Sequence, residues 1–532
     1  MAHGENPNFT IYAPRARSYE GAYGRIFPEV RGWLPPGNSD DEREKYCLEF
    51  ANGHMIEWHD PNHSGEIAHP REIANDLHGL RESLDREYNS EIPAGYTYFG
   101  QFIAHDITFD PTPLQMRRID PSGLTDYRTP RLDLDNIYGR GPDDQLYLYD
   151  QETKRQSRKF LIGRVTGYNL RDLPRNSQGR ALIGDPRNDE NAIISQLHLA
   201  FLLAHNTLVD RAIELGMDEP FENARRTLRR LYQFIVWNDY IKLVTSEAVH
   251  KAALRLVPAG PDPARWELGL EYVYSWHREP FIPIEFSGAA YRFGHSMVGN
   301  QYQTNESIRT HHVFVPLFDG GGAGESDDLR GFVPIRAANV IQWDWFLQMN
   351  SSRGDLQFPQ MARKIDTKLA NALAFLAEDP HPKNVLAYRN LIRSCELDLP
   401  AGSATAAAVA NKPSSDSLRF SPLSLNPGEP DSLWFYILRE AELAPQNGNK
   451  LGPLGSLIVC ATIAGLLKGD PSSYFFKNLE WAPGEDPLLK DRNYNIDGKG
   501  IEGRPGERSW TLASIIRLSG LPVDTDSFQA QQ

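Results

Sequence analysis

The sequence predicts a mainly α-helical protein that forms one large domain with long loops and little sheet. Apolar residues recur at helical spacing from Ile194 to Leu215. Few segments show the apolar–polar alternation of strands, and no convincing linker divides the 532 residues. We therefore assign residues 1–90 to an irregular N-terminal wrap and residues 91–532 to the helical body of the same domain.

The first half of the chain predicts helices separated by long loops. The pattern becomes helical at Tyr96, and residues 110–190 are rich in Pro, Asp, Asn and Gly, which favours structured loops. A long helix is then expected to begin at Asp185, because Asp is a good N-cap and Pro186 suits the first helical position. Gly216 is expected to end that helix.

Three further segments complete the predicted order of elements. Residues 221–250 alternate basic and apolar faces and predict another helix. Residues 401–431, rich in Ala, Ser and Pro, predict a short helix followed by an exposed loop. The apolar run at 451–467 contains Gly and Pro and is too short for a comfortable membrane span, so it predicts a buried helix and no transmembrane segment.

Charge and composition exclude some classes of protein. The net charge of −14 argues against nucleic acid as a partner, because phosphate binding needs clustered Lys and Arg. Three cysteines are too few for a disulfide framework and fit a reducing compartment. The first residues lack the apolar stretch of a secretory signal. We expect a cytoplasmic protein, or one secreted without an ordinary signal peptide.

The most informative segment is YTYFGQFIAHDITFDPTP, residues 96–113. Gln101 and His105 are four residues apart, so they share one face of a helix. Asp106 points about 100° away from His105, since a helix has ~3.6 residues per turn. A single histidine on an apolar helix is more often a core residue than a catalyst, so the interpretation depends on other motifs.

Four motifs in order resemble the animal-type haem peroxidases of the peroxidase–cyclooxygenase superfamily, in a short, bacterial-like form. The resemblance covers about residues 90–470 and implies a helical haem-peroxidase domain. The matching motifs are Gly100-Gln101 with His105-Asp106, GDPRNDE at 184–190, YRFGH at 291–295 and NLIRSCELDLPAGS at 390–403.

The resemblance implies a role for each matching residue. His295 would hold the iron of haem b, leaving the opposite face for peroxide. His105 would carry the proton between the two peroxide oxygens, and Arg187 would stabilise charge on the departing oxygen. Gln101 would position a small ligand over the iron, and Arg292 would pair with a haem propionate.

Two residues, Ala104 and Asn191, depart from the covalent haem attachment of the mammalian members, in which two carboxylates are esterified to the haem. Ala104 cannot form one of these bonds, whereas Glu190 can form the other. Asn191 excludes the sulfonium link that a methionine makes in the most modified member. We therefore expect at most one covalent ester link and a less oxidising iron, which disfavours efficient chloride oxidation.

The proximal side also departs from the family pattern. The family places an asparagine where it accepts the N–H of the proximal imidazole, and the alignment assigns that position to Ser403. The expected arginine three residues later then becomes Ala406. Because such partners tune the basicity of a metal ligand, a hydroxyl at this position is expected to alter the iron.

A second metal is expected at TPRLDLDNIYG, residues 129–139, where oxygen donors occur at every second residue. Thr129, Asp133 and Asp135 can offer side chains and Arg131 its carbonyl, which suits a hard cation that takes six to eight oxygens. The resemblance implies a structural calcium loop completed by Asp106. The alternative is an Asp-rich capping loop without metal.

The leading functional hypothesis is reduction of hydrogen peroxide with oxidation of small donors such as phenols, iodide, bromide or thiocyanate. A fatty-acid dioxygenase of the same superfamily is the alternative enzyme. It needs a tyrosine three residues before the proximal histidine, where this chain has Arg292, and Tyr291 lies one residue further back. A haem-binding protein with little turnover is the third class, which the presence of His105 and Arg187 disfavours.

Overall fold

The computed structural model describes a defined part of the chain. The described residues are 21–57, 88–109, 125–151, 157–259, 262–306, 314–317, 328–349, 359–376, 381–412, 418–477, 481–490 and 510–531. Helices dominate this part, and the strands form only small two-stranded sheets, which confirms the predicted mainly α fold.

Fifteen α-helices are numbered here in chain order. They are α1 (Asp40–His54), α2 (Gly95–Ile107), α3 (Asp135–Tyr138), α4 (Ala192–Glu214), α5 (Pro220–Ile235), α6 (Lys242–Val244), α7 (Glu247–Ala253), α8 (Ile284–Gly288), α9 (Leu386–Glu396), α10 (Gly402–Ala410), α11 (Leu433–Glu442), α12 (Pro453–Gly469), α13 (Tyr474–Lys477), α14 (Leu512–Ser519) and α15 (Thr525–Gln531).

Short 3-10 helices connect several of these elements, and two of them carry predicted site residues. They are Leu146–Leu148, Pro186–Asp189, Ala290–His295, Ala337–Asn339, Trp343–Trp345, Asn371–Ala374 and Pro483–Glu485. A π-helical segment, Val236–Ile241, joins α5 to α6.

The strands pair antiparallel in five small sheets. The pairs are Gly21–Ala22 with Thr125–Asp126, Asn89–Pro93 with Met361–Arg363, Gly163–Arg164 with Arg171–Asp172, Leu254–Ala259 with Asp262–Leu268, and Gln301–Gln303 with Phe314–Pro316.

The helix expected to begin at Asp185 is two elements rather than one. Asp185 caps only the 3-10 helix Pro186–Asp189, accepting from the Arg187 N–H. Asn191 then caps α4 by accepting from the Ile194 N–H at 3.0 Å. The prediction of one helix was wrong because Asn favours the cap position over a helix interior, so the chain restarts there. Gly216 follows the end of α4 with φ +64°, as predicted.

The segment predicted as one helix over 221–250 is also divided. It comprises α5, the π-helical segment, α6 and α7, with a break at 245–246. The apolar run at 451–467 forms α12, whose side chains are almost all buried, which confirms the predicted buried helix. Within the predicted segment 401–431, α10 is the short helix, and residues 413–417 lie outside the described part.

The central helix α4 packs against α2, α5 and α14 and organises the core. Among the described helices, α4 alone is long and apolar enough to cross a membrane, and 83% of its most apolar window is buried inside the protein. This burial is typical of a core helix.

Helix α2 also packs against the 3-10 helix Ala290–His295, so the elements that carry His105 and His295 are neighbours. Thr97 Oγ1 donates to the Met297 carbonyl at 3.3 Å across this contact. Gly100 faces the Tyr240 hydroxyl so closely that a Cβ atom would not fit. Glycine at this position therefore allows α2 to approach the rest of the core.

Most of the expected wrap, residues 1–90, lies outside the described residues. Within its described part, α1 packs on α9, the helix that follows the proximal motif in the chain. Cys47 is buried in α1, and all three cysteines are free thiols.

Candidate active site

Helix α2 and the 3-10 helix Pro186–Asp189 bring the predicted peroxide-binding residues into one cluster. His105 is completely buried, and its Nδ1 lies 2.7 Å from Asn188 Oδ1. The Gln101 amide donates to the Glu190 carboxylate. Arg187 Nη2 donates to the His105 carbonyl at 2.9 Å. The two motifs, which are separate in the sequence, therefore meet in space.

Asn188 was not singled out from the sequence, although it contacts two histidines. Its Nδ2 lies 2.9 Å from Nδ1 of His198, which is buried in α4. The available signal was its position within GDPRNDE, directly after Arg187. The partner His198 could not be found from the sequence, because its contact depends on how α4 packs beside the 3-10 helix.

A buried carboxylate fixes Arg187. Arg187 Nε donates to Asp185 Oδ1 at 3.0 Å and Nη2 donates to Asp185 Oδ2 at 2.7 Å. Arg128 donates to the same carboxylate. The Arg187 guanidinium also lies 4.5 Å from the ring centroid of Phe109, a cation–π distance. Burial raises the pKa of Asp185, but the Arg187 and Arg128 charges outweigh this and lower it well below its usual range.

The surroundings keep His105 uncharged at neutral pH. Burial, followed by the Arg187 charge, lowers the pKa of His105 to about 3. Asp185 and the contact with Asn188 act in the opposite direction but do not outweigh burial. The ring is therefore a neutral imidazole with one protonated nitrogen, and the partner of Nδ1 decides which nitrogen carries the proton.

On the proximal side, the structure corrects the predicted partner of His295. The side-chain amide of Asn390 in α9 lies 2.8 Å from His295 Nδ1. Ser403 opens α10 and donates from its hydroxyl to Asp431, so the assignment of Ser403 was wrong. The error came from counting through NLIRSCELDLPAGS to its end, whereas the partner is its first residue. The arginine expected three residues after the partner is Arg393, which donates to Asn390 Oδ1 at 3.1 Å.

The residues around His295 fit a haem. Because Nδ1 faces Asn390, His295 can ligate iron only through Nε2. A Cβ atom added at Gly294 would meet no atom within 4 Å, so a flat group has space beside the ring. Burial, together with the charges of Arg292, Arg393 and Arg389, lowers the pKa of His295 well below its usual value. These cations also suit the two propionates of a haem.

The predicted calcium loop folds back onto α2. The Asp106 carboxylate accepts from the Leu134 N–H at 3.2 Å and from the Asn136 N–H at 3.4 Å. Thr129 donates to Asp133 at 2.9 Å. Leu134 adopts a left-handed conformation with φ 58°, which is costly for a residue with a branched side chain and marks a constrained turn.

The oxygen atoms of this loop are of the kind that binds a hard cation. In the present conformation, however, they do not surround a common point. Among the residues that the structure describes, no three Asp, Glu, His or Cys side chains form a metal-binding group. Asp135 pairs instead with Arg128 at 2.9 Å. However, Asp133 Oδ1 is buried without a hydrogen-bond partner. Burial and the neighbouring Asp133 and Asp135 raise the pKa of Asp106, so three acidic groups are crowded together.

Comparison with known families identifies the middle of the chain. The family model described as animal haem peroxidase matches residues 115–319. Residues 115–319 are therefore similar to an animal haem peroxidase domain. The resemblance found in the sequence is thereby confirmed, and the matched range includes the predicted calcium loop, Arg187 and His295.

Curated relatives carry peroxidase names. The chain is 31% identical over 179 residues to chorion peroxidase of Drosophila melanogaster, covering 30% of this chain and 21% of that protein. It is 26% identical over 293 residues to heme peroxidase 2 of Caenorhabditis elegans, covering 44% of this chain and 38% of that protein. The matches thus span less than half the length of either relative.

Solved structures share the fold over nearly the whole chain. Peroxidase A from Dictyostelium discoideum superposes with a TM-score of 0.56 at 15% identity, covering 90% of this chain and 92% of that one. The Oryza sativa fatty acid alpha-dioxygenase gives a TM-score of 0.52 at 13% identity, with 94% and 82% coverage. At such low identities the likeness establishes only the helical fold. The activity has to be inferred from the residues of the site.

The buried Asp185 carboxylate predicts a strong effect of its removal. Asp185→Asn leaves Arg128 and Arg187 without their shared anion, so we expect the free energy of unfolding to fall by about 3–5 kcal/mol. Chemical denaturation at pH 7 measures this. Since folding lowers the pKa of Asp185, its contribution is present at neutral pH and disappears only in strong acid.

Asp210→Asn is the matched control, because Asp210 forms an exposed pair with Lys159. Exposed pairs typically contribute about 0–1 kcal/mol. Equal losses in the two variants would show that Asp185 does not anchor the site.

Proposed function

We propose that this protein is a haem-dependent peroxidase that reduces hydrogen peroxide and oxidises small donors. The observation that carries the proposal is the buried cluster in which a neutral His105 lies between Asn188 and Arg187. Membership of a peroxidase family supports an oxidoreductase in general. The peroxide substrate is inferred from the cluster, and the proposed donors are phenols, iodide, bromide or thiocyanate.

The cofactor that suits the proximal side is haem b held by His295. When bound, haem supplies the electrons that reduce the peroxide. For Nε2 to bind iron, Nδ1 must carry the proton and Asn390 must accept it through its amide oxygen. A half-turn of the amide exchanges its oxygen and nitrogen and supplies that acceptor, at the cost of the hydrogen bond that Arg393 donates to Oδ1. Arg292, which donates to the Ser287 carbonyl at 2.9 Å, would face a propionate.

His105 is suited to accept a proton from one peroxide oxygen and then to donate it to the other. With Nδ1–H donated to Asn188 Oδ1, Nε2 holds a lone pair and can accept a proton from peroxide. The surroundings that lower the pKa of His105 also make the protonated ring a strong acid. It would therefore return the proton readily to the oxygen that leaves.

Arg187 and Gln101 are the remaining polar groups of the proposed site. Arg187 uses Nε and Nη2 for Asp185 and the His105 carbonyl, so Nη1 is the group that would stabilise a departing oxygen. Gln101, four residues before His105 in α2, would orient peroxide or a small anion. Both side chains are buried and already ordered by protein contacts, which lowers the cost of organising the site.

The site does not favour the dioxygenase alternative. The position three residues before His295 is Arg292, which cannot form a tyrosyl radical. Tyr291 stacks on Phe286 at 4.7 Å and contacts Phe293 edge-on at 5.9 Å, inside an aromatic cluster. The rice alpha-dioxygenase resembles this chain in fold alone.

Calcium is the proposed second metal. Its oxygen ligands would come from Asp106, Thr129, Arg131, Asp133 and Asp135. Binding requires Asp133 to turn from Thr129 and Asp135 to share its carboxylate with Arg128. The cation would neutralise crowded carboxylates and hold the loop against α2, so its role would be structural.

The kinetics of His105→Ala test the proposed peroxidase. Acid–base catalysis is worth about 10²–10⁴-fold, so the reaction with hydrogen peroxide should slow by that order while haem content is unchanged. Stopped-flow absorbance and steady-state donor oxidation are the measurements. His250→Ala is the control, because His250 is a half-buried histidine that stacks on Trp237 at 4.4 Å. A loss below about threefold in His105→Ala, or a haem protein that turns over no donor, would refute the proposal.

Removal of calcium should destabilise the contact between the loop at residues 129–139 and helix α2, which carries His105. Prolonged chelation should lower the melting temperature and the peroxidase rate together, and Asp133→Ala should reproduce both losses, because the cation ties the loop to the helix that carries His105. Asp144→Ala is the control, since Asp144 forms an exposed pair with Arg140. Metal analysis that finds no calcium, together with no effect of chelation, would leave residues 129–135 as a capped turn.

Glu190 is the proposed single point of covalent haem attachment. Its contact with Gln101, which lies four residues before His105 in α2, supports this assignment, and Ala104 offers no second carboxylate. Mass spectrometry after peroxide treatment should show either free haem or one ester link, and Glu190→Gln should abolish the link. Two ester links, or a link that survives Glu190→Gln, would contradict this assignment.

A further inference from the structure

Three buried side chains form a continuous hydrogen-bonded series that ends at the proposed base. His105 Nδ1 lies 2.7 Å from Asn188 Oδ1, and Asn188 Nδ2 lies 2.9 Å from His198 Nδ1. All three side chains are completely buried. The series joins α2, the 3-10 helix Pro186–Asp189 and α4, so a residue of the central helix is linked to the peroxide site.

The chemistry of the amide gives this series a direction. An amide oxygen only accepts and an amide nitrogen only donates. With Oδ1 facing His105, the His105 proton must be on Nδ1, and Nε2 is then the base. With Nδ2 facing His198, Nδ1 of His198 must be the acceptor and its proton must be on Nε2. A half-turn of the Asn188 amide would reverse both rings together and place a proton on His105 Nε2, where it would block the base.

His198 has one polar connection within the described residues. Its Nε2 makes no hydrogen bond there, so Asn188 is its hydrogen-bond partner. Phe102 lies edge-on to the ring, with centroids 6.4 Å apart. Burial also lowers the pKa of His198, so the ring stays neutral and Nδ1 can accept. A buried histidine with a single polar contact is placed to hold the amide of Asn188.

We propose that His198, acting through Asn188, is a positioning residue that keeps His105 in the tautomer with Nε2 unprotonated. The inference rests on the proposed function of His105, since a fixed tautomer matters only if Nε2 takes a proton from peroxide. Asn188 sets the tautomer directly. His198 pairs with the other end of the amide, so the amide can turn only if both histidine rings change tautomer together.

His198→Phe tests the role, because it removes the acceptor and keeps an aromatic ring. One net hydrogen bond corresponds to about a two- to tenfold change in population, so the rate with hydrogen peroxide should fall by about that factor at unchanged haem content. His205→Phe is the matched control. His205 is buried in the same helix and contacts the Tyr138 hydroxyl at 3.0 Å, away from Asn188.

Asn188→Asp separates positioning from a merely structural role. A carboxylate accepts from His105 Nδ1–H through either oxygen, so its rotation cannot reverse the tautomer. The rate of this variant, whatever its value, is the reference for the double variant. Adding His198→Phe to Asn188→Asp should then cause no further loss. A loss of the same size in both backgrounds would show that His198 acts only through packing.

The tautomer can be read without turnover. In protein carrying zinc protoporphyrin as a diamagnetic substitute for haem, ¹⁵N chemical shifts of labelled histidine should show His105 protonated on Nδ1 and His198 on Nε2. His198→Phe should produce a mixture of tautomers at His105, and His205→Phe should not. A His105 ring already protonated on Nε2 in the native protein would overturn the inference. If the shifts agree but His105→Ala reacts normally with peroxide, the proposed function fails and the tautomer assignment stands.

Discussion

The carboxylate of Asp185 is the constraint on which the cluster around His105 depends. It is completely buried and accepts from two guanidinium groups, those of Arg128 and Arg187. Arg128 also donates a hydrogen bond to Asp135 in the proposed calcium loop, and Arg187 also donates one to the His105 carbonyl. One anion thereby connects the loop, the 3-10 helix and α2. Loss of this charge would leave Arg187 as a buried cation without its anion and Arg128 with Asp135 alone, and an uncompensated buried charge is strongly destabilising.

A second ion pair holds the other end of the same 3-10 helix. Arg175 donates two hydrogen bonds to Asp189, at 2.7 and 2.8 Å, in a bidentate geometry. Arg187 and Asn188 lie between the two anchored residues. Their side chains are therefore fixed before any ligand arrives, as electrostatic stabilisation of a developing charge requires. The 3-10 helix and α4 are separated at Glu190 and Asn191. At this break Glu190 contacts Gln101, while α4 continues into the core.

The sequence was informative where residues act through local motifs and less so where contacts form between elements. Gln101, His105, Arg187 and Glu190 could be assigned from two short motifs, and the structure brings them together. The helix from Asp185 was predicted too long because the second cap, Asn191, was not recognised. Asn390 was missed in favour of Ser403, and His198 was missed entirely. The three-residue spacing of Asn390 and Arg393 could have identified the first partner, whereas the contact of His198 depends on how α4 packs and does not follow from spacing along the chain.

We propose that His295 holds a haem through Nε2, because Nδ1 faces Asn390. The most direct measurement is the absorption and electron paramagnetic resonance spectrum of the haem-loaded protein, compared with His295→Gly in the absence and presence of imidazole. We predict a high-spin ferric haem with one axial nitrogen in the native protein. His295→Gly should lose the haem or that ligand, and added imidazole should restore the native spectrum. Full haem content with an unchanged spectrum in His295→Gly would contradict the account.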